Sequence, residues 1–191
     1  MRRTPELSPR KIPTQARAKA TYSTILQAAA RILEREGYEK LTTNRVAEVA
    51  GIGIASLYEY FPNKQSVVAA VITANVEEVL HDIEVALEKA ITQAPEEGLA
   101  TWISAMFVAM DKRRALAATL LREVPFLYDV PAMRQLRKKL LGLAARGHVL
   151  APTLLQRKRL DAIVYLLPLM VSSAVVEVVL RPPKTISRPD I

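Results

Sequence analysis

The sequence predicts an all-α protein. Apolar residues recur at helical spacing through most of the 191 residues, and no stretch alternates apolar and polar side chains as a half-buried strand does. Proline and glycine interrupt the pattern where one periodic stretch ends and the next begins. Half of the residues are hydrophobic, so the chain is able to bury a core of its own.

The N-terminal third begins with a basic arm, which two candidate helices follow. Residues 1–13 contain three prolines among basic side chains, and we expect them to form a flexible arm. The segment TYSTILQAAARILEREG has apolar residues on one helical face and ends at Gly37, a natural C-cap. The segment LTTNRVAEVAG predicts a short helix that Thr42 or Thr43 caps and that Gly51 stops.

A second short helix, from about Ile54 to Tyr60, completes a helix-turn-helix candidate. Small Ala47 lies where the two helices would touch, and Leu57 of the second helix is predicted to face the core. A helix this short, with small residues at its N-terminal end, fits the DNA major groove. The sequence therefore predicts a three-helix bundle with a helix-turn-helix over residues 14–62.

Residues 63–191 are predicted to form a second helical domain. Asn63 is a suitable N-cap for a long helix to about Gln93. The last helix, residues 156–181, contains Pro168, which should kink it. Between these two helices, prolines mark further helix boundaries, at Pro95, Pro125 and Pro131.

The net charge of +8 is unevenly distributed along the chain. Residues 1–64 carry 11 Lys and Arg against 6 Asp and Glu, residues 65–132 carry 5 against 10, and residues 133–191 carry 11 against 3. A basic N-terminal end before an acidic middle indicates a polyanion-binding region. Because the C-terminal end is basic as well, charge alone does not locate the site.

Composition excludes several classes of site. The absence of cysteine excludes disulfides and thiolate chemistry, and agrees with a reducing cytoplasm. The charged N-terminus has no apolar run after it, so we expect no secretory signal. The longest uncharged run, residues 162–176, is shorter than the ~20 residues of a membrane span. The glycines at 51 and 53 follow no strand, so no nucleotide loop and no cofactor are predicted.

A set of short motifs over about residues 13–75 resembles the N-terminal domain of the tetracycline-repressor (TetR) family of bacterial transcriptional regulators. The matching elements are IL-x-AA at residues 25–29, GY at 37–38, TT at 42–43, AG at 50–51, LY-x-YF at 57–61, and Lys64. The resemblance implies a DNA-binding regulator, not an enzyme, with a helical ligand-binding and dimerisation domain after the helix-turn-helix.

The resemblance also implies roles for individual residues. The positions that match Thr43, Tyr58, Tyr60 and Lys64 hold DNA phosphates in the family, and their hydroxyls and ammonium suit that role. We expect both tyrosines to face outward and Phe61 to face the core. The remaining DNA-binding candidates lie at the start of the first short helix, Asn44 and Arg45, and on the second, Ile54, Ala55, Ser56 and Glu59.

Direct readout of bases is predicted to be sparse. Ile54 and Ala55 match the family's base-facing positions but offer only apolar contacts, for instance to a thymine methyl group. Sequence preference is therefore expected to depend on Asn44, Arg45 and DNA shape. Gly53 stands where the family usually has a capping serine, a change that costs only a few tenths of a kcal/mol.

The basic arm has two interpretations. The residues just before Ile25 are Ser23 and Thr24, where family members often have arginine. Basic side chains further upstream either reach the minor groove or belong to a disordered tail: Arg10, Lys11, Arg17 and Lys19.

The resemblance implies a hydrophobic effector bound by the C-terminal domain. A cavity of this kind needs adaptable apolar side chains and a few polar groups. The candidates are Trp102, Met106, Phe107, Met110, Phe126, Tyr128, Tyr165 and Met170. Ordinary core packing is the commoner role for side chains of this kind, and it accounts for most of them.

The resemblance also implies a homodimer through the helix 156–181. The family usually has one further helix, and RPPKTISRPDI ends with a helix-start signal at Ser187. We therefore expect either a dimer that relies on the helix 156–181 or a further helix beyond Ile191.

Two other functions remain open at the level of sequence. Glu77, His81, Glu84 and Glu88 lie on one face of the long helix and could serve a metalloenzyme, but a solvated acidic face explains them better. An architectural or nonspecific DNA-binding protein would share the basic arm.

Overall fold

The computed structural model describes residues 6–146, residue 170 and residues 173–181. Within these ranges it contains seven α-helices, a 3-10 turn and further helical residues at 170 and 173–180, with no β-strand. The all-α prediction is confirmed. The elements are α1 (Ala16–Glu36), α2 (Thr43–Ala50), α3 (Ile54–Tyr60), α4 (Lys64–Ala90), α5 (Pro95–Asp111), α6 (Arg114–Glu123), the 3-10 turn (Leu127–Asp129) and α7 (Pro131–Arg146).

The chain divides into two compact units. The first contains Met1–Asn75 and Ala115–Met133, and the second contains Val76–Arg114 and Arg134–Ile191. Nearly all of α6 therefore belongs to the unit of α1, α2 and α3, while α4 contributes to both units. The functional division predicted from the sequence, at residue 63, stays a prediction.

The first unit has its core between α1 and the two short helices. α1 contacts α2, and α2 contacts α3. Apolar side chains three or four residues apart on α1 share one helical face, and that face is fully buried. The largest fully buried side chains of this unit include Ile25, Ile32, Leu33, Leu41, Leu57 and Phe61.

α4 begins at a well-formed cap and keeps one face buried along its length. Asn63 Oδ1 accepts a hydrogen bond from the Ser66 backbone amide at 2.7 Å, and Ser66 Oγ donates to the Asn63 carbonyl at 2.8 Å. This confirms Asn63 as the N-cap. In the second unit, the buried stripe of α4 consists of Val76, Leu80, Ile83, Leu87 and Ala90.

The predicted helix 156–181 lies mostly outside the described residues, as do Pro168 and its expected kink. Its described part is helical at residues 173–180, with Val175 and Val179 buried one turn apart. Among the described residues, no helix combines the length and the apolar character that a membrane crossing needs.

Candidate nucleic-acid interface

The turn between α2 and α3 is a Schellman motif built on Gly51. Gly51 has a left-handed backbone (φ +66°), and its amide donates to the Glu48 carbonyl while the Ile52 amide donates to the Ala47 carbonyl. At the other end of α2, Thr42 Oγ1 accepts a hydrogen bond from the Arg45 amide at 3.1 Å. Glycine at 51 and threonine at 42 therefore define both ends of the first short helix.

α3 begins without a side-chain cap. Gly53 occupies the N-cap position and only its carbonyl contributes, accepting from the Ser56 and Leu57 amides. The fully buried Leu57 side chain anchors the helix against the core. Tertiary packing thus compensates for the missing cap.

Thr43 and Tyr58 meet at the exposed surface and connect the two short helices. Their hydroxyl oxygens lie 3.1 Å apart, at hydrogen-bonding distance. Tyr58 is 40 % exposed. Two hydroxyls that share one hydrogen bond keep one further O–H group free to donate, so the pair is able to bind an anionic oxygen.

Arg45 is held by two carboxylates at the side of α2. Its guanidinium contacts Glu36 of α1 and Glu48 of α2, each at 3.0 Å. These hydrogen bonds, that to Glu36 above all, raise the pKa of the Arg45 guanidinium. Asn44 beside it is exposed. The sequence did not indicate that Arg45 has carboxylate partners.

The exposed face of α3 is nearly apolar at its N-terminal end. Ile54 and Ala55 are exposed and Ser56 is partly exposed. Glu59 lies one turn beyond Ala55 on the same face and is the sole charged residue of α3. The expectation of few hydrogen-bonding groups at the base-facing positions agrees with this surface.

The expectation that Tyr60 faces outward is wrong. Its side chain is 6 % exposed and its ring packs edge-on against Tyr22 of α1 at 5.8 Å. The reason is helical geometry, since Tyr60 follows the buried Leu57 by three residues and lies on the same face. Phe61 is fully buried and stacked on Tyr22, as predicted.

Lys64 also points into the first unit. Its ammonium donates to the Tyr38 carbonyl at 3.1 Å and lies 4.1 Å from the centre of the Tyr38 ring. Burial lowers the pKa of the Lys64 ammonium, an effect that the Glu39 carboxylate opposes. A phosphate contact by Lys64 stays a prediction, and its present contacts fix the start of α4 to the α1–α2 turn.

Tyr38 is a central residue of this unit whose role the sequence did not reveal. Its backbone amide donates to Glu123 Oε2 of α6 at 2.8 Å. Its ring contacts Phe126 edge-on, with 6.0 Å between ring centres. The GY motif at residues 37–38 marked the place, but the partners lie more than 80 residues away in the sequence.

The N-terminal arm is fixed to the end of α3 over residues 6–11, which differs from the flexible arm expected from its prolines. The Arg10 amide donates to the Tyr60 carbonyl at 2.7 Å. Lys11 Nζ lies 2.9 Å from Glu59 Oε2, and Asn63 Nδ2 donates to the Glu6 carbonyl at 3.1 Å. The last carbonyls of a helix have no partner within it, and the arm supplies one here.

The candidate effector residues are dispersed. On α5 of the second unit, Trp102 and Met106 are buried, while Phe107 and Met110 are partly buried. Trp102 Nε1 is buried with no hydrogen-bond partner in the part of the chain that the structure describes.

The other candidates do not join this group. Phe126 is buried in the first unit against Tyr38, while Tyr128 is 70 % exposed and Met170 is 67 % exposed. Tyr165 lies outside the described residues.

The acidic face of α4 is engaged by arginines. Arg146 of α7 contacts Glu84 and lies 3.7 Å from Glu88, and Arg113 binds Asp82 at 3.0 Å. Two of the four residues considered for a metal site, Glu84 and Glu88, are therefore occupied by a guanidinium. No group of three or more potential ligands for a metal ion occurs within the described ranges.

Comparisons with known proteins agree with this architecture. Residues 25–71 match a sequence model of the bacterial regulatory proteins of the tetR family. Among the curated proteins, no sequence matches the chain.

Several solved structures have a similar fold. One is a regulator from Mesorhizobium loti assigned to the TetR family, at a TM-score of 0.73 and 16 % identity, covering 92 % of this chain and 91 % of that one. Another is the transcriptional regulator FadR from Bacillus subtilis in complex with stearoyl-CoA. It has a TM-score of 0.65 and 21 % identity, and the match covers 83 % of this chain and 85 % of that one. A third is the ketosteroid transcriptional regulator KstR2 of Mycobacterium tuberculosis. It has a TM-score of 0.57 and 20 % identity, and the match covers 95 % of this chain and 90 % of that one.

The matched residues 25–71 include α2, α3 and the turn between them, which is the helix-turn-helix described above. The structural matches extend the likeness over most of the chain. The family and these neighbours are transcriptional regulators, not enzymes. Residues 25–71 are therefore similar to the helix-turn-helix domain of the tetR-family regulatory proteins, and the chain has the fold of these solved regulators.

Proposed function

We propose that the protein is a repressor that binds a near-palindromic operator as a homodimer and leaves it when a small hydrophobic ligand binds. The palindrome follows from two-fold symmetry, because each protomer would present one α3 to one half-site. The bound dimer would repress transcription because it blocks the access of RNA polymerase to the same DNA. The ligand would act by favouring a state in which the two α3 helices no longer match successive major grooves.

The observation that carries the DNA-binding part is the hydroxyl pair of Thr43 and Tyr58. It spans α2 and α3 at the exposed surface and leaves one O–H group to donate, which suits a phosphate oxygen beside the groove that α3 enters. The neighbouring Ile54 and Ala55 offer apolar surface to thymine methyl groups. Asn44, Arg45 and DNA shape supply the remaining sequence preference.

The proposal of a hydrophobic ligand is supported by the side chains of α5 and by two similar solved structures. Trp102, Met106 and Met110 supply an aromatic ring and two adaptable side chains on one helix. Trp102 Nε1, which has no hydrogen-bond partner among the described residues, is a donor that a polar group of a ligand would satisfy. The neighbours described as a FadR complex with stearoyl-CoA and as a ketosteroid regulator suggest apolar ligands with a polar end.

The dimer is assigned to the helix 156–181. A single protomer reads one half-site and binds weakly, so operator occupancy requires two copies. Light scattering at micromolar concentration tests this assignment, and a monomer on the operator would exclude it.

The deciding experiment is fluorescence anisotropy on the DNA upstream of the gene, at two salt concentrations, against a scrambled duplex of equal length. We expect saturable binding that prefers the upstream DNA and weakens steeply with salt. Stearoyl-CoA and a ketosteroid are then added to the complex. Release of DNA, with a change in the fluorescence of Trp102, the single tryptophan, would support induction. Equal affinity for both duplexes would favour an architectural DNA-binding protein.

Tyr58→Phe tests the surface itself. The change removes the hydroxyl that contacts Thr43 and keeps the ring, so we expect about tenfold weaker operator binding with an unchanged fold. Tyr128→Phe is the matched control, because Tyr128 is more exposed and lies in the 3-10 turn. Equal affinities for the two variants would show that the interface lies elsewhere.

A further inference from the structure

α3 carries a negative charge on its exposed face. α3 has the sequence IASLYEY, in which Glu59 is the sole charged residue. Glu59 is exposed and lies one turn from Ala55, on the face assigned to the DNA bases. A carboxylate in that position would repel phosphates unless a cation accompanies it.

The N-terminal arm supplies that cation. Lys11 Nζ lies 2.9 Å from Glu59 Oε2 and 4.8 Å from the centre of the Tyr60 ring. Its hydrogen bond to Glu59 raises the pKa of the Lys11 ammonium. Both side chains remain more than half exposed, so the ion pair is accessible to DNA.

Backbone hydrogen bonds hold the arm independently of this ion pair. The Arg10 amide donates to the last carbonyl of α3, and the Asn63 side chain donates to the Glu6 carbonyl. Asn63 simultaneously caps α4, which fixes the donor in place. The backbone of the arm is therefore held beside α3 by contacts other than the attraction between Lys11 and Glu59.

We propose that the ammonium of Lys11 neutralises the charge of the Glu59 carboxylate. The arm thereby allows α3 to approach a DNA duplex without repulsion between Glu59 and the phosphates. Glu59 then reads no base, and Lys11 acts as a positioning residue through its charge. The inference rests on the proposed entry of α3 into the groove. It replaces a minor-groove role for Lys11 by a role at the C-terminal end of α3.

The test is a double-mutant cycle of operator affinity with Lys11→Gln, Glu59→Gln and the double variant. We expect Lys11→Gln to weaken binding about tenfold at low salt, because it leaves Glu59 uncompensated. Glu59→Gln should bind at least as tightly as the unmodified protein. The double variant, which has the same net charge as the unmodified protein, should recover to within about twofold.

Two controls separate charge from structure. Lys89→Gln, in the last turn of α4, removes one positive charge elsewhere and should change affinity less than Lys11→Gln does. Hydrogen exchange of the Arg10 amide should stay slow in all three variants of the cycle, because its bond to Tyr60 is unchanged. The deficit of Lys11→Gln should also shrink at high salt, where exposed charges are screened.

Each alternative has its own signature. A double variant as weak as Lys11→Gln would overturn the proposal and show that Lys11 binds phosphate directly. Loss of operator preference in Glu59→Gln would overturn it in favour of base reading by Glu59. Failure of the unmodified protein to distinguish operator from scrambled DNA would reject the proposed function, and this inference with it.

Discussion

Gly37 has a backbone conformation that glycine alone adopts readily, with φ +86° and ψ 172°. A β-carbon at this position would lie 2.8 Å from Glu123 Oε2, closer than nonbonded atoms approach. The same carboxylate oxygen accepts the hydrogen bond of the Tyr38 amide. Backbone conformation and close packing therefore both require glycine between α1 and α2.

We expect Gly37→Ala to lower the free energy of unfolding by about 1–3 kcal/mol, because the strained conformation is imposed on a residue that disfavours it. Urea denaturation followed by circular dichroism measures the change. Gly142→Ala in α7 is the control, since no described residue lies within 4 Å of its added carbon and alanine favours helix. A Gly37→Ala variant as stable as the control would show that Glu123 moves aside at no cost.

The sequence identified the aromatic and basic residues of the helix-turn-helix but not all their directions. Tyr60 and Lys64 were assigned to phosphates by resemblance, and each makes its main contacts within the first unit. The direction of Tyr60 depends on Tyr22, which lies 38 residues earlier in the sequence, and that of Lys64 depends on Tyr38, which lies 26 residues earlier. Local patterns do not contain such contacts, whereas caps such as Thr42 and Asn63 are local and were predicted.

Asn63, at the start of α4, connects this helix with the N-terminal arm. Asn63 caps α4 through its side-chain oxygen and binds the arm through its side-chain nitrogen. Ser66, fully buried, completes the cap by donating to the Asn63 carbonyl. An asparagine is needed because it provides both an acceptor and a donor in one side chain.

Asn63→Ala should lower the free energy of unfolding by about 1 kcal/mol, the usual cost of a lost N-cap. Asn63→Asp keeps the acceptor and loses the donor to Glu6, so it should stay within a few tenths of a kcal/mol of the unmodified protein. Thermal unfolding of the three proteins distinguishes these effects. Equal losses for both variants would indicate that the arm contact, and not the cap, stabilises the protein.

The unit that contains the helix-turn-helix also contains most of α6. Residues Ala115–Met133 belong to this unit, and Glu123 and Phe126 contact the α1–α2 turn. The sequence predicted a domain boundary at residue 63 because Asn63 begins the long helix. The sequence pattern held no information on which unit the α6 segment would join.

Phe126→Ala in the full chain should destabilise the first unit by about 3 kcal/mol, since a buried ring is replaced by a methyl group. Residue-resolved hydrogen exchange should show faster exchange in α1 and α2 than in the unmodified protein. Tyr128→Ala, two residues along and exposed, should leave these rates unchanged. Unaltered exchange in α1 after Phe126→Ala would show that the Phe126 ring contributes no stability to the helix-turn-helix.

The uncapped, seven-residue α3 sets a condition for engineering operator preference. Its C-terminal end depends on the arm, whose Arg10 amide binds the Tyr60 carbonyl. Its middle is held by the buried side chain of Leu57. A chimaera that grafts residues 52–60 alone onto another regulator would leave this contact behind. The transferable module is the helix together with residues 6–11, and exchanging both should move binding preference intact.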